Sequence, residues 1–312
     1  MFVVLSFSIY RKVKQQNDLY QAWDNIKEGL FHNIPLLCAL LLFTCLNWTL
    51  EARKWQLLIR PVERVSLFTG FKAVLSGLSF GLFVPNGVGD YIGRMMYMHE
   101  GNRLRSLAVS FVGSVAQLII TLSAGIIGFR YVLVNAPDIK LLQARFFSPF
   151  WMYGLQYMAA LGLVLLLLLF FKISLFTKWF EKIPIVNRHK IFVQSLEEYD
   201  FPTLMRILVI SFLRFSVFIL QYLLVFHLFG VDLLPVQVIC ITCAYFLFLA
   251  MVPTIPIAEL GIRGQFGIYL FGIFNDNTIG IISGLALIWV INVIIPALIG
   301  SLLVLSVRVF GK

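Results

Sequence analysis

The feature that most constrains this chain is a series of apolar stretches, each long enough to cross a lipid bilayer. The clearest runs from Leu155 to Phe171 without a charge and contains the leucine run Leu165 to Leu169. A bilayer has a hydrocarbon core of about 30 Å, which a helix crosses with about 20 residues. Because 60% of the 312 residues are hydrophobic and 13% are charged, the apolar material exceeds what one soluble core could bury. The sequence predicts an all-α, polytopic transmembrane helix bundle.

Some apolar stretches are continuous and others are interrupted. The continuous ones predict spanning helices at residues 33 to 50, 104 to 129, 150 to 171, 204 to 229 and 278 to 306.

Two further apolar stretches, 66 to 84 and 235 to 252, are each interrupted at a segment containing Pro or Gly. A shorter helical segment follows each interruption, at 88 to 99 and at 257 to 274. Interrupted apolar segments are typical of re-entrant or broken membrane helices. We therefore expect two re-entrant or broken elements within the bundle.

The basic connectors predict the orientation of the chain, because cytoplasmic loops carry an excess of Lys and Arg. Residues 51 to 64, 94 to 105 and 172 to 190 are the basic connectors, and we expect all three in the cytoplasm. The first two can share a side only if the material between them enters the membrane and returns. Counting forward places the loop at 230 to 234 outside and the end carrying Arg308 and Lys312 inside. The protein is expected in the cytoplasmic membrane of a bacterium.

The same order of elements predicts an internal repeat. We expect a single membrane domain, residues 1 to 312, in which inverted repeats at 33 to 129 and 204 to 306 are linked by the helix at 150 to 171. Corresponding broken segments in two halves are a pointer to a transporter-type site.

Each interrupted region carries an acid followed four residues later by an arginine: Asp90 with Arg94, and Glu259 with Arg263. This spacing puts both charges on one helix face, and pairing lowers the cost of about 2.5 to 3.5 kcal/mol for a charge at membrane depth. The pairs are either interfacial ion pairs or part of a polar cavity, beside half-helix N-termini, where an anionic headgroup binds. In the second case the arginines would contact phosphate through bidentate hydrogen bonds. The acids would hold the guanidinium groups or receive a cationic headgroup or a proton.

Other charged residues fall close to these regions. Arg214 and Gln221 lie seven residues apart on one face of the helix 204 to 229, which we expect to face the bundle interior because a lipid-facing arginine is costly. Arg214 is therefore a further candidate for binding the headgroup. Glu51 and Arg53 are either an amphipathic helix end at the interface or charge partners of the nearby re-entrant element. The remaining supporting residues lie at or beside the chain breaks: Pro85, Gly87, Gly89, Pro253, Pro256 and Gly261.

Several classes of function are disfavoured. The chain has no Walker loop, no His-Glu-x-x-His segment and no nucleophile elbow. Its four histidines are scattered without a carboxylate or cysteine at ligand spacing. The net charge of +10 lies mostly in short connectors and not on one basic face. We predict no enzymatic activity, no cofactor, no metal site and no nucleic-acid partner.

Three segments together resemble the lysylphosphatidylglycerol synthase transmembrane region, also called the flippase-like family. The resemblance covers residues 33 to 308. The segments are Asn47-Trp48 to Lys54-Trp55-Gln56-Leu57-Leu58, Val84-Pro85-Asn86-Gly87-Val88-Gly89-Asp90-x-x-x-Arg94, and Val252-Pro253-x-x-Pro256-x-x-Glu259-Leu260-Gly261-Ile262-Arg263.

In bifunctional members of that family a cytosolic domain transfers lysine to phosphatidylglycerol, and the membrane region moves the product to the outer leaflet. Since this chain ends at Lys312, directly after its last predicted helix, the resemblance implies the flippase-like part without the transferase. The sequence departs from the family pattern at Asp90, where Glu is frequent, and at Ile257-Ala258, where paired glycines are frequent. The resemblance therefore does not identify the headgroup.

The resemblance and the charged pairs together predict a flippase-like protein that binds or translocates a phospholipid or lipid-linked substrate across the cytoplasmic membrane. Its expected partners are membrane lipids with an anionic or lipid-linked headgroup. One alternative is an ion- or proton-coupled transporter of a small solute that uses the same charged pairs. Another is a membrane scaffold that recruits a separate lipid- or glycan-synthesis enzyme through its basic connector at 172 to 190.

Overall fold

The computed structural model describes residues 33–82, 84, 88–137, 149–171, 199–251 and 256–305, apart from the side chains of Pro149, Trp151 and residues 256–260. Over this part of the chain the fold is helical without a strand, so the all-α class is confirmed. The helices are α1 Ile34–Ile59, α2 Leu67–Gly81, α3 Val88–Met95, α4 Arg103–Asn135, α5 Pro149–Phe171, α6 Phe201–Leu228, α7 Pro235–Met251, α8 Pro256–Phe271, α9 Thr278–Trp289 and α10 Ile295–Leu305.

The membrane-spanning helices agree with the sequence prediction. Among the described residues, the stretches long and apolar enough to cross a bilayer are Ile34–Ile59, Glu100–Asn135, Met152–Phe171, Phe201–Leu228 and Thr278–Leu305. Their outward faces are apolar, since Leu42, Ile127 and Leu302 are each 68 to 69% exposed. A helix that presents leucine and isoleucine to its surroundings is suited to lipid rather than to water.

One predicted boundary is wrong. The first span was predicted to end at residue 50, with 51 to 64 as a basic connector, but α1 continues to Ile59. Glu51 and Lys54 consequently lie inside the helix, and both are buried. A hydropathy pattern places a helix end at the first cluster of charges, whereas here tertiary contacts accommodate those charges within the fold.

Helices α2 and α3 form a tightly packed pair, called here the glycine pair. Ser66 starts α2 by accepting a hydrogen bond from the Thr69 backbone N–H at 3.0 Å. Gly89 lies against the backbone of Phe80, and Gly93 lies against Gly77, where an added Cβ would come within 2.4 Å of the Gly77 Cα. Because the later residue of α3 meets the earlier residue of α2, the helices are antiparallel.

The glycine pair has the geometry that a re-entrant element requires, namely two short helices that fold back on each other after a break. The same geometry fits entry through either membrane face. Re-entry, the inside and outside assignments, and the inverted repeat therefore stay predictions.

Helices α7 and α8 are the second short pair, called here the aromatic pair. Both begin at a proline, Pro235 and Pro256, where the missing N–H costs no helical hydrogen bond. The rings of Phe248 and Phe266 stack with centroids 5.8 Å apart. The Tyr245 hydroxyl donates a hydrogen bond to the Arg263 backbone carbonyl at 3.3 Å.

The helices divide into two compact units, each considered by itself. Unit A contains the described parts of Met1–Cys45, Thr121–Ala160 and Ser216–Ile294, and it includes the aromatic pair. Unit B contains the described parts of Leu46–Ile120, Leu161–Phe215 and Ile295–Lys312, and it includes the glycine pair. The apolar core of unit B is built around Trp55, Leu58 and Ile207, which are fully enclosed.

Several predicted features lie outside the described residues. They are Pro85, Gly87, Pro253, the side chains of Pro256 and Glu259, the basic connector at 172 to 190, and the end carrying Arg308 and Lys312.

A buried charge cluster as the candidate functional site

The candidate site in unit B is a cluster of five ionisable side chains, named here the charge cluster: Glu51, Lys54, Asp90, Arg94 and Arg214. Glu51 is its centre, with 4% of its surface exposed. Its Oε2 lies 2.7 Å from Lys54 Nζ and 2.8 Å from Arg214 Nη1. Its Oε1 lies 3.0 Å from Arg94 Nη2. One buried carboxylate therefore binds three cations.

Helix α1 supplies this centre through helical spacing. Asn47, Glu51 and Lys54 follow one another at intervals of four and three residues, so they occupy one face of the helix. All three are buried. Arg53 points elsewhere, because it is exposed and donates a hydrogen bond to Gln56. Of the two residues predicted in this segment, Glu51 joins the cluster and Arg53 does not. Because Glu51 is buried, its interpretation as part of an amphipathic interfacial end is wrong.

Helix α3 supplies the second carboxylate and a second cation. Arg94 Nη2 lies 3.0 Å from Asp90 Oδ2, so the predicted pair four residues apart is present. Asp90 occupies the first turn of α3, where the positive end of the helix dipole favours a carboxylate. The close glycine contact fixes this turn, since a Cβ added at Gly77 would lie 2.6 Å from the Asp90 carbonyl oxygen.

Helix α6 supplies Arg214, which is held from three directions. Its Nε donates to Asn47 Oδ1 at 2.9 Å, its Nη1 contacts Glu51, and its guanidinium lies 5.2 Å from the centre of the Trp48 ring. A cation over an indole face is attracted by the ring quadrupole. The prediction that Arg214 faces inward is confirmed.

The charge cluster contains more basic side chains than carboxylates, and one of its buried donors, Arg94 Nε, has no partner. Three cations minus two carboxylates leave a net charge of +1 when all five groups are ionised. An ammonium carries three N–H donors and a guanidinium five. Arg94 Nε is buried without a hydrogen-bond partner, as is Asp90 Oδ1. Within the part of the chain that the structure describes, Glu51 is the one partner of the Lys54 ammonium.

Unit A holds an uncharged polar network on the other half of α6. Gln221 Nε2 donates to Thr44 Oγ1 at 2.9 Å, and Asn292 Nδ2 donates to Gln221 Oε1 at 3.1 Å. Asn292 lies in a widened helical turn, Val290–Ile294, between α9 and α10. Pro296 follows it and cannot donate to the carbonyl of Asn292. Gln221 is buried by its contacts with Thr44 and Asn292, so it faces inward as predicted.

Arg263 also belongs to unit A. It is half-buried on α8 and its backbone carbonyl accepts the Tyr245 hydrogen bond. The predicted pairing with Glu259 concerns a side chain outside the described residues. Gly261 is buried on the same helix. The roles predicted for these residues stay predictions.

A smaller group of polar residues ties two connectors of unit B together. Glu63 Oε1 lies 2.7 Å from His99 Nδ1, and Glu63 Oε2 accepts from Asn102 Nδ2 at 3.0 Å. Partial burial opposes ionisation of Glu63, but the hydrogen bonds from Asn102 and His99 outweigh it and hold the pKa of that carboxyl below its ordinary value. These connectors precede α2 and follow α3, so their contacts join the two ends of the glycine pair.

The described residues contain no group of three or more His, Cys, Asp or Glu side chains that could hold a metal ion. The predicted absence of a metal site stays a prediction.

The sequence matches a known protein family over most of its length. The model of the lysylphosphatidylglycerol synthase transmembrane region matches residues 2–300. The chain belongs to this family. No curated protein and no solved structure matches it. This family match and the apolar helices together establish that the chain is an integral membrane protein.

The family motifs lie in the cluster and on the aromatic pair. The first motif supplies Glu51 and Lys54, the second supplies Asp90 and Arg94, and the third supplies Arg263. Sequence reasoning missed Lys54 as a site residue, although its position three residues after Glu51 was a usable signal. Asn47, Thr44 and Asn292 were also missed, since isolated polar residues in apolar helices carry little pattern of their own.

Proposed function

We propose that this protein binds a phospholipid or lipid-linked substrate and moves it across the membrane, with the charge cluster contacting the anionic headgroup. The observation that carries the proposal is a buried cluster of three basic side chains and two carboxylates in which the Arg94 Nε donor has no partner. Phosphate oxygens accept several charge-assisted hydrogen bonds at once, and arginine forms them in bidentate geometry. The donor excess of the cluster suits such a ligand.

The energetic cost of the cluster supports a functional role. Removing a charge from water costs several kcal/mol per ion even after relaxation, and replacing buried ion pairs by apolar residues is often neutral or stabilising. A membrane protein that needed this region only for packing would be served by leucine and valine. Charged residues within membrane segments typically mark substrate or ion pathways.

The proposed role is binding and translocation without covalent chemistry on the lipid. A separate lipid- or glycan-synthesis enzyme would then supply the substrate. Transport of a small solute by the same charged pairs is the alternative that the following experiment separates.

The test is lipid movement in reconstituted vesicles. Purified protein is placed in vesicles containing acyl-labelled fluorescent phosphatidylglycerol, and dithionite reports the label that reaches the outer leaflet. Loss of a hydrogen bond to a charged group is worth about 1.5 to 3 kcal/mol, so Arg94→Ala is expected to slow movement by about tenfold to a hundredfold. Arg94→Lys, which keeps a point charge, should retain part of the activity.

Arg206→Ala is the matched control, because Arg206 is an exposed arginine on α6. It should move lipid like the wild type. Equal movement by wild type, Arg94→Ala and protein-free vesicles would contradict the proposal. Uptake of a labelled small solute by the same vesicles would instead favour the transporter alternative.

A further inference from the structure

Lys54 differs chemically from the other cations of the charge cluster. A guanidinium stays protonated in proteins, whereas a buried lysine amine readily loses its proton. Arg94 and Arg214 are therefore permanent charges. Lys54 is the one cation of this cluster whose charge can change at ordinary pH.

The surroundings of Lys54 favour such a change. It is 1% exposed, so its ammonium is removed from water, which disfavours the charged form. Its stabilising partner, Glu51, is shared with two arginines. Arg94 on α3 and Arg214 on α6 share its partner Glu51, and Asp90 on α3 is paired with Arg94. Helix α4 presents Gly113 beside the aliphatic chain of Lys54.

Counting charge in two states shows what a ligand would do. With Lys54 as a neutral amine, two arginines and two carboxylates leave the empty cluster at zero. With Lys54 protonated, the empty cluster carries +1, which is costly in a low-dielectric interior. A bound phosphodiester contributes −1, and protonated Lys54 then restores zero. The cluster is thus electrically neutral in both states if one proton accompanies the anion.

We propose that binding of a monoanionic headgroup to the charge cluster is coupled to uptake of one proton by Lys54. The inference rests on the proposed function only in using the same cluster as the headgroup site. The proton comes from water and binds the lone pair of the amine, and no other bond forms or breaks. Because the protonated form binds the anion, affinity is greatest at low pH and falls as pH rises, by up to about tenfold per pH unit. A proton gradient could then drive lipid movement.

Calorimetry measures the coupling directly. Short-chain dihexanoylphosphatidylglycerol, whose phosphodiester keeps one charge between pH 7 and pH 9, is titrated into the detergent-solubilised full-length protein. Each pH is measured in two buffers with different heats of ionisation, since the difference in observed heat gives the protons taken up per lipid. For the wild type we expect uptake that rises toward one proton per lipid across this range.

Two substitutions assign the proton to Lys54. Lys54→Arg fixes the charge, so binding should proceed without proton uptake and with little dependence on pH. Lys54→Gln removes the charge, so binding should also lack uptake, be weaker than the wild type at pH 7, and approach the wild type at pH 9. Lys72→Arg is the matched control, because Lys72 is a half-buried lysine over the Phe68 ring on α2, and it should keep the wild-type uptake.

The outcomes separate this inference from the proposed function. Binding by the wild type without proton uptake at any pH, or undiminished uptake in folded Lys54→Arg or Lys54→Gln, overturns the role of Lys54 and leaves the headgroup site standing. Absence of both phosphatidylglycerol binding and lipid movement overturns the two proposals together. Size-exclusion profiles identify the folded variants, and the glutamine variant decides the question if the arginine variant does not fold.

Discussion

The glycine pair and the aromatic pair hold two short helices together by different means. In the glycine pair, backbone meets backbone at Gly77, Gly89 and Gly93. In the aromatic pair, rings fill the space between the helices, as Phe248 and Phe266 do. Small residues let membrane helices approach closely, whereas rings contribute area and preferred orientations.

This difference bears on where charge can be placed. Close backbone contact fixes the first turn of α3 and with it the Asp90 carboxylate. The Arg94 guanidinium on the same helix lies 3.0 Å from Asp90 and 3.0 Å from Glu51. The contacts of the aromatic pair include ring pairs and a hydrogen bond from a tyrosine hydroxyl to a backbone carbonyl. The close backbone contacts of the glycine pair thus position the charged side chains of α3. The difference between the two pairs can be tested by weakening each pair in turn.

Removing the central carboxylate should have the largest effect. Glu51→Gln leaves three buried cations with Asp90 as the remaining carboxylate of the cluster, and breaking a buried ion pair typically costs about 3 to 5 kcal/mol. Thermal unfolding in detergent should show a correspondingly lower midpoint. Glu100→Gln is the control, because that carboxylate is 85% exposed, and it should unfold like the wild type. An equal midpoint for both variants would mean that the cluster contributes nothing to folding.

A methyl group in the glycine contact should rank second. In Gly93→Ala the new Cβ would lie 2.4 Å from Gly77, so the helices must separate, and overpacking of this kind costs about 1 to 3 kcal/mol. Gly154→Ala should leave stability unchanged or slightly higher, because nothing lies within 4 Å of its added Cβ. If Gly93→Ala is as stable as Gly154→Ala, the glycine pair is looser than its backbone contacts indicate.

The aromatic pair should depend on its rings by a smaller amount. A double-mutant cycle with Phe248→Leu and Phe266→Leu is expected to give a coupling energy of about 0.5 to 1.5 kcal/mol, as for other aromatic pairs. The same cycle with Phe248→Leu and Phe226→Leu provides the comparison and should be additive, since the ring of Phe226 contacts Tyr222 and Phe271. Additive effects in the first cycle would show that stacking adds nothing to apolar contact.

The connectors of the two units should differ in how their contribution to stability responds to acid. This is the smallest effect that we expect. Glu63 holds its connector through a carboxylate, whereas Asn277 holds the end of α6 through an amide that donates to the carbonyls of Phe229 and Gly230. The pKa of Glu63 lies below its ordinary value, so its contribution is complete above that value and is lost as pH falls through the lowered one. The expected size is below about 1 kcal/mol.

Unfolding midpoints at neutral and acid pH measure this difference. Glu63→Gln should be less stable than the wild type at neutral pH and equal to it in acid, while the loss in Asn277→Ala should not change with pH. A Glu63→Gln deficit that persists in acid would assign its effect to packing and not to ionisation.

Much of the fold follows from local properties of the sequence. Span length and apolar composition predicted the five spanning stretches, because the thickness of a bilayer sets the length of a helix that crosses it. The proline and glycine interruptions predicted two short helices in each of these regions, since a proline inside a helix removes a backbone hydrogen bond and clashes with the preceding turn. The spacing of Asp90 and Arg94 predicted their ion pair, because that contact lies within one helical turn.

The tertiary structure decided which charges share a partner. Glu51 contacts Arg94, which is 43 positions away along the chain, and Arg214, which is 163 positions away. A hydropathy pattern alone places a helix end at Glu51 and Lys54. Arg53 and Lys54 are neighbours of similar chemistry, yet helix rotation puts one on the surface and the other in the cluster. Buried ions are stable only where packing brings compensating groups within hydrogen-bond distance, and that proximity is a property of the assembled helices.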